Sequence, residues 1–272
     1  MPSRPGTARA VRRATLIRGA AALLGASLAP WALAQPAAAP AEPAARKVFR
    51  YALRVAETGF DPAQISDLYS STMAANMFDA LYATEFMARP VRIRPNTAAA
   101  MPEVSADFTT FTVRVKPGIL FADDPAFGGS KRELVAEDYV YAIKRHYDPR
   151  LKSPRLSGLQ NNSILGLDAL REAALKPGAR FDYDRPAEGL RALDRYTLQF
   201  RLAQPNPRFA DELSDPAITG ALAREVVEFY GDKIMEHPVG TGPFRLARWK
   251  RIGQQKARFR VKTVFWMPPI AR

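Results

Sequence analysis

The chain contains no cysteine among its 272 residues, so no disulfide can staple it and no thiol can serve as nucleophile or metal ligand. Histidine is nearly as scarce. With only His146 and His237 available, zinc sites built on three histidines or on cysteines are excluded. Acidic residues are missing from both ends, residues 1–34 and residues 250–272. A membrane-spanning run is missing as well. The uncharged stretch 19–34 is shorter than the roughly 20 apolar residues a spanning helix needs, and Pro30 interrupts it.

The acid-free ends explain a formal charge of +13, which at first sight suggests a nucleic-acid footprint. The first segment holds five basic residues: Arg4, Arg9, Arg12, Arg13 and Arg18. The last holds seven: Lys250, Arg251, Lys256, Arg258, Arg260, Lys262 and Arg272. Setting those five and seven aside leaves +1 for residues 35–249. Both signs are interspersed there, as on an ordinary solvated surface. Nucleic acid is not an expected partner.

A basic start, an alanine- and leucine-rich run over 19–29, a proline, and small residues at Ala32 and Ala34 form the three-part layout of a cleavable secretory signal. Cleavage is expected after Ala34, which places the mature protein in the periplasm. Arg12-Arg13 invites a twin-arginine reading, but Thr15 occupies a place that usually holds a bulky apolar residue, so ordinary export is favoured. Residues 35–47 read as an Ala/Pro spacer. Removing 34 residues leaves 238, enough for one or two domains with cores.

Strand and helix periods then alternate. Phe49, Tyr51, Leu53 and Val55 have strand spacing, and Asp61-Pro62 breaks the run. Met73, Met77 and Leu81 recur every four residues, predicting a helix over 67–81. Phe111, Val113 and Val115 predict a half-exposed strand stopped by Pro117-Gly118. Tyr139, Ile143 and Tyr147 mark one face of a helix over 136–147. A second clean strand covers 196–202, and a helix over 221–230 ends at Gly231. Strands follow at 244–249 and 258–265. The fold class is α/β or α+β, without internal repeats.

Several constellations invite chemistry and fail on spacing. Gly240-Thr241-Gly242-Pro243 lacks the following helix that a phosphate cradle requires, so a structural turn is expected. Glu137 and Asp138 are neighbours on a helix and point about 100° apart, which suits a helix first turn and not paired acid–base work. Asp123-Asp124 before Pro125 reads as a turn, and the two histidines as surface or capping residues. No catalytic residue, metal site or cofactor is expected. An exported carboxylate-dependent hydrolase and a non-binding structural remnant remain as alternatives.

Four segments together resemble one family. They are Glu57-Thr58-Gly59-Phe60-Asp61-Pro62 and the run 111–121 ending Lys116-Pro117-Gly118-Ile119-Leu120-Phe121. The third is 134–145 followed by Asp148-Pro149, and the fourth is Val239-Gly240-Thr241-Gly242-Pro243-Phe244 running on to Trp249. In this order they are similar to the family 5 extracellular solute-binding proteins, the dipeptide, oligopeptide and nickel receptors of ATP-binding-cassette importers. The resemblance implies an α/β, periplasmic-binding-protein-like (class II) fold of which this chain carries the N-terminal portion. Residues 48–80 would open lobe one, 81–204 would form lobe two, and 205–249 would return to lobe one. Residues 250–272 form a basic tail with no counterpart in that scheme, and a truncated or frameshifted gene product would explain it.

What the resemblance implies for function is a monomeric peptide receptor that closes around its ligand and docks on a membrane permease. Glu57, Thr58, Gly59 and Phe60 are its candidate ligand-binding residues, by their position after the first strand. Val135 stands where the family usually has threonine. The lost side-chain cap should cost about 1 kcal/mol.

Overall fold

The computed structural model describes Phe49, residues 52–250 and the strand 256–261. The signal segment, the spacer, the predicted cleavage site, and most of the basic tail lie outside the described residues. Of the strand predicted from Val48, residues 52–55 are described and form no strand.

Helix α1 (Leu68–Ala74) leads into a hairpin of β1 (Tyr82–Glu85) and β2 (Arg92–Pro95). Strands β3 (Glu103–Val104) and β4 (Thr110–Arg114) precede helix α2 (Ala136–Tyr147). Two further helices follow, α3 (Leu156–Asn161) and α4 (Leu167–Leu175), and then β5 (Leu190–Ala192) and β6 (Thr197–Arg201). Short helices α5 (Phe209–Glu212), α6 (Pro216–Thr219) and α7 (Arg224–Tyr230) lead to the hairpin of β7 (Phe244–Lys250) and β8 (Lys256–Val261). Among the described residues no helix is long and apolar enough to cross a membrane.

The largest sheet has the order β3-β4-β6-β5, antiparallel throughout. Alternation decides its faces. Phe111 pairs with Phe200 and Val113 with Leu198, all four buried, while Thr110, Thr112, Gln199 and Arg201 take the other side. Helix α2 lies against this sheet and matches the predicted span from end to end.

Its burial differs from expectation. Every residue of α2 except Glu137 is buried, not one stripe alone. Two apolar clusters flank the helix. Tyr139, Val140, Ile143 and Tyr147 belong to the larger one with the sheet. Ala142 belongs to a smaller one with Phe60, Ile65, Met77 and Phe78. A methyl at position 142 lets the second layer come close, and a helix used on both sides needs no solvent face.

The missing threonine cap at Val135 is answered from the other end of the turn. The Asp138 carboxylate accepts the Val135 N–H at 2.8 Å, the reciprocal half of a capping box. Arg132 in turn holds Asp138 at 2.7 and 3.1 Å.

His146 corrects the surface assignment. It is 1% exposed, with Nδ1 2.7 Å from the Ser153 hydroxyl. Burial, and then the neighbouring Arg145 charge, pull its pKa from 6.5 down to about 4. His237 stacks flat on Tyr230, ring centroids 3.8 Å apart.

The predicted helix over 67–81 stops at Ala74. The carbonyls of Asn76 and Met77, which a longer helix would need, instead accept N–H groups of Phe244 and Gly242 at 3.1 and 2.9 Å. A long-range partner outcompetes local propensity here.

Candidate functional site

The loop 57–65 joins the smaller apolar cluster to the surface through Phe60 and Ile65. Glu57 is nearly buried, and one carboxylate oxygen accepts the Trp249 indole N–H at 2.6 Å. The Phe60 ring meets the same indole edge-on, centroids 5.0 Å apart, and is itself fully buried. Strand β7 positions Trp249 by turning Leu246 and Trp249 towards the smaller cluster while Arg245 and Arg248 stay exposed. Glu57 and Phe60 thus converge on one side chain.

Thr58 and Gly59 go elsewhere. The exposed Thr58 hydroxyl donates to Asp67 at 2.8 Å, and its N–H donates to the Ser70 hydroxyl at 2.9 Å. Asp67 also caps α1 through the Ser70 N–H, and those hydrogen bonds outweigh its partial burial and hold its pKa low. Gly59 lies against the flexible end of Met235, whose carbonyl accepts the Phe60 N–H at 3.0 Å. The exposed rim of the loop is therefore Thr58 with Asp67 and α1 behind it.

Beneath the rim sits an ion pair. Arg145 donates through both terminal nitrogens to the two oxygens of Asp61, at 2.5 and 2.8 Å, with both side chains at most 2% exposed. Burial alone would raise the Asp61 pKa. The adjacent guanidinium charge and its hydrogen bonds more than reverse this and keep the group ionised. Gln64 at 2.6 Å and the Ala63 N–H complete the shell around Asp61. A buried charge tolerates this position only with such a partner.

A second polar network secures the return segment. Thr241 donates to Asp79 at 3.0 Å, Asn96 reaches Asp79 and the Ala80 carbonyl, and Thr97 contacts the Tyr139 hydroxyl of α2 at 2.5 Å. Gly240 and Gly242 cross the chain at Met77 so closely that a Cβ on either would collide with its backbone. The Gly242 N–H is already committed to the Met77 carbonyl, so the glycines form a crossing and not an anion cradle.

The acidic pairs do not assemble into a catalytic geometry. Glu137 is exposed whereas Asp138 is buried on Arg132. Asp123 pairs with Lys131, and Asp124 caps a short turn while accepting the Tyr230 hydroxyl at 3.0 Å. Among the described residues no three metal-ligating side chains cluster.

Residues 92–271 match the model of the bacterial extracellular solute-binding proteins, family 5 Middle. The chain belongs to that family. The match runs to residue 271 and so takes in the basic segment that the sequence reading set apart. The chain is 27% identical over 194 residues to the glutathione-binding protein GsiB of Pectobacterium atrosepticum, covering 71% of this chain and 30% of the relative. It is 26% identical over 191 residues to the periplasmic oligopeptide-binding protein OppA of Salmonella typhimurium, covering 70% and 31%. The chain thus spans about a third of the length of these relatives. Among solved structures, OppA of Haemophilus influenzae in complex with the peptide RPPGFSPFR superposes with a TM-score of 0.60 at 24% identity, over 76% of this chain and 37% of that one. The periplasmic-binding-protein-like fold, present in part, follows from this likeness.

Sequence reasoning missed Asp61 and Arg145 as partners. Asp61 read as a strand breaker before proline, and Arg145 only as the end of a segment that resembles the family. The available signal was weak, since Arg145 sits between Lys144 and His146 in the last turn of α2.

Proposed function

We propose that the chain supplies the ligand-facing N-terminal part of a periplasmic peptide receptor that serves an ATP-binding-cassette importer, and that it performs no catalysis. The family match over residues 92–271 carries the reading. Relatives named for glutathione and oligopeptides support a peptide-like cargo, and the periplasmic naming of OppA supports export by the basic N-terminal signal.

The proposed lobe division has support in the packing. The smaller cluster draws mainly on 60–78 and 222–249, the two segments assigned to lobe one. The hydrogen bonds from 242–244 to 76–77 stitch those segments together. In this reading the exposed Thr58 faces ligand with its hydroxyl, while Glu57, through Trp249, and Gly59 and Phe60 hold the loop in place. A peptide backbone, with its regular donors and acceptors, suits such a rim.

Calorimetric titration of the purified chain with di- to pentapeptides, glutathione included, tests the proposal. Saturable heat that falls in Thr58→Ala and Glu57→Gln supports it. No heat with any peptide, or heat indifferent to both substitutions, counts against the reading.

A further inference from the structure

Arg145 is the one guanidinium in the described residues sealed at both ends of its ion pair, and its position in the fold is informative. It projects from the last turn of α2, the most buried helix among the described residues, and not from the loop it contacts. Its two terminal nitrogens are spent on Asp61, and its Nε has no partner at all. Asp61 immediately follows Phe60, whose ring packs on Trp249, and Trp249 in turn donates to Glu57. A continuous path therefore runs from the helix to the rim. Other holds on the loop include the Met235 carbonyl on the Phe60 N–H, the Ser70 and Asp67 contacts of Thr58, and the burial of Phe60 and Ile65 in the smaller apolar cluster, but among the described residues only the Arg145 fork is an ion pair to the loop.

We propose that Arg145 is the positioning residue of this site, fixing through its two-pronged hold on Asp61 the placement of Glu57 and Phe60 against Trp249. The inference rests on the functional reading above only for its consequence, the effect on ligand affinity. A fork of two parallel N–H groups sets both the distance and the orientation of the carboxylate, which a point charge cannot do. Without that hold, a shift of the loop backbone at Asp61 would move the adjacent Phe60 ring against the indole and loosen the Glu57 hydrogen bond. The residue touches no ligand in this scheme; it acts only through the loop.

The test uses the full chain labelled with nitrogen-15, with the Trp249 indole N–H assigned through Trp249→Phe. In the native chain the hydrogen bond to Glu57 should shift that resonance downfield and slow its exchange. Arg145→Met should move it towards the free-indole position and speed exchange at least tenfold, with amide protection across β4 and β6 unchanged. Arg145→Lys should restore part of the shift. Should Arg145→Met fail to fold, Asp61→Asn and Arg145→Lys keep a polar partner in place and serve instead. Folded variants whose indole signal matches the native chain would overturn the proposal. Peptide titration is read separately: a native chain that binds no peptide defeats the functional reading, while the indole signal still decides the role of Arg145.

Discussion

The Thr241 hydroxyl donates to the Asp79 carboxylate at 3.0 Å, joining two points 162 residues apart in sequence. Both side chains are buried, so the bond is not in exchange with water. Thr241→Val keeps the shape and removes the donor. The expected loss is about 1–3 kcal/mol, because a buried carboxylate is left short of a partner. Urea unfolding should show the midpoint fall in Thr241→Val and largely recover in Thr241→Ser.

Gly240→Ala tests the crossing one residue away. Its Cβ would meet the Met77 backbone, which cannot rotate aside as a side chain end could. Overpacking of this kind costs about 1–3 kcal/mol. Gly59→Ala meets the Met235 side chain, whose far end makes the tightest contact and can swing aside, and should cost less. Thermal melts of the two variants, compared side by side, give the order. Equal losses would argue that the crossing has more slack than the structure indicates.

His146 predicts a pH dependence whose sign is fixed. Its pKa is about 4 in the folded chain and 6.5 when free, so between those values the unfolded state binds more protons. Stability from this group is complete above pH 6.5 and falls as the pH drops towards 4. The fall amounts to roughly 3 kcal/mol if the whole shift is realised. His146→Gln removes the titrating group. Its melting temperature should lose this part of the slope between pH 6.5 and 4 when compared with the native chain.

A double-mutant cycle on Asp61 and Arg145 separates a buried pair from its unpaired halves. Either single apolar substitution strands a charge in a site at most 2% exposed, for a cost of about 3–5 kcal/mol. Asp61→Leu with Arg145→Met removes both charges and should recover most of that loss. Additive losses in urea unfolding would contradict direct coupling.

Local pattern was legible in element type and extent, though not in how many sides of α2 are covered. The strand around Phe111, the helix over 136–147 and the glycine stop at 231 are of this kind, since alternation, helical period and left-handed backbone are local properties. What stayed hidden was pairing at a distance. The methionine period correctly marked Met77 and Leu81 as buried, yet it could not foresee that backbone carbonyls at 76 and 77 would bond to 242–244 instead of continuing a helix. His146 was misread because a polar residue near a helix end ordinarily reaches water, and here a loop bearing Ser153 closes over it. The candidate loop was found through resemblance to a family. Its anchor, Arg145, was visible only once two segments were seen in contact.

The meeting of Gly242 with Met77 also imposes an order on biogenesis. As the polypeptide leaves the ribosome, Phe60, Met77 and Phe78 emerge well before the stretch that covers them, with the whole four-stranded sheet and α2 made in between. Throughout that interval the nascent chain displays an unroofed greasy surface, which a holding chaperone can grip and which delays compaction until the covering stretch has been made.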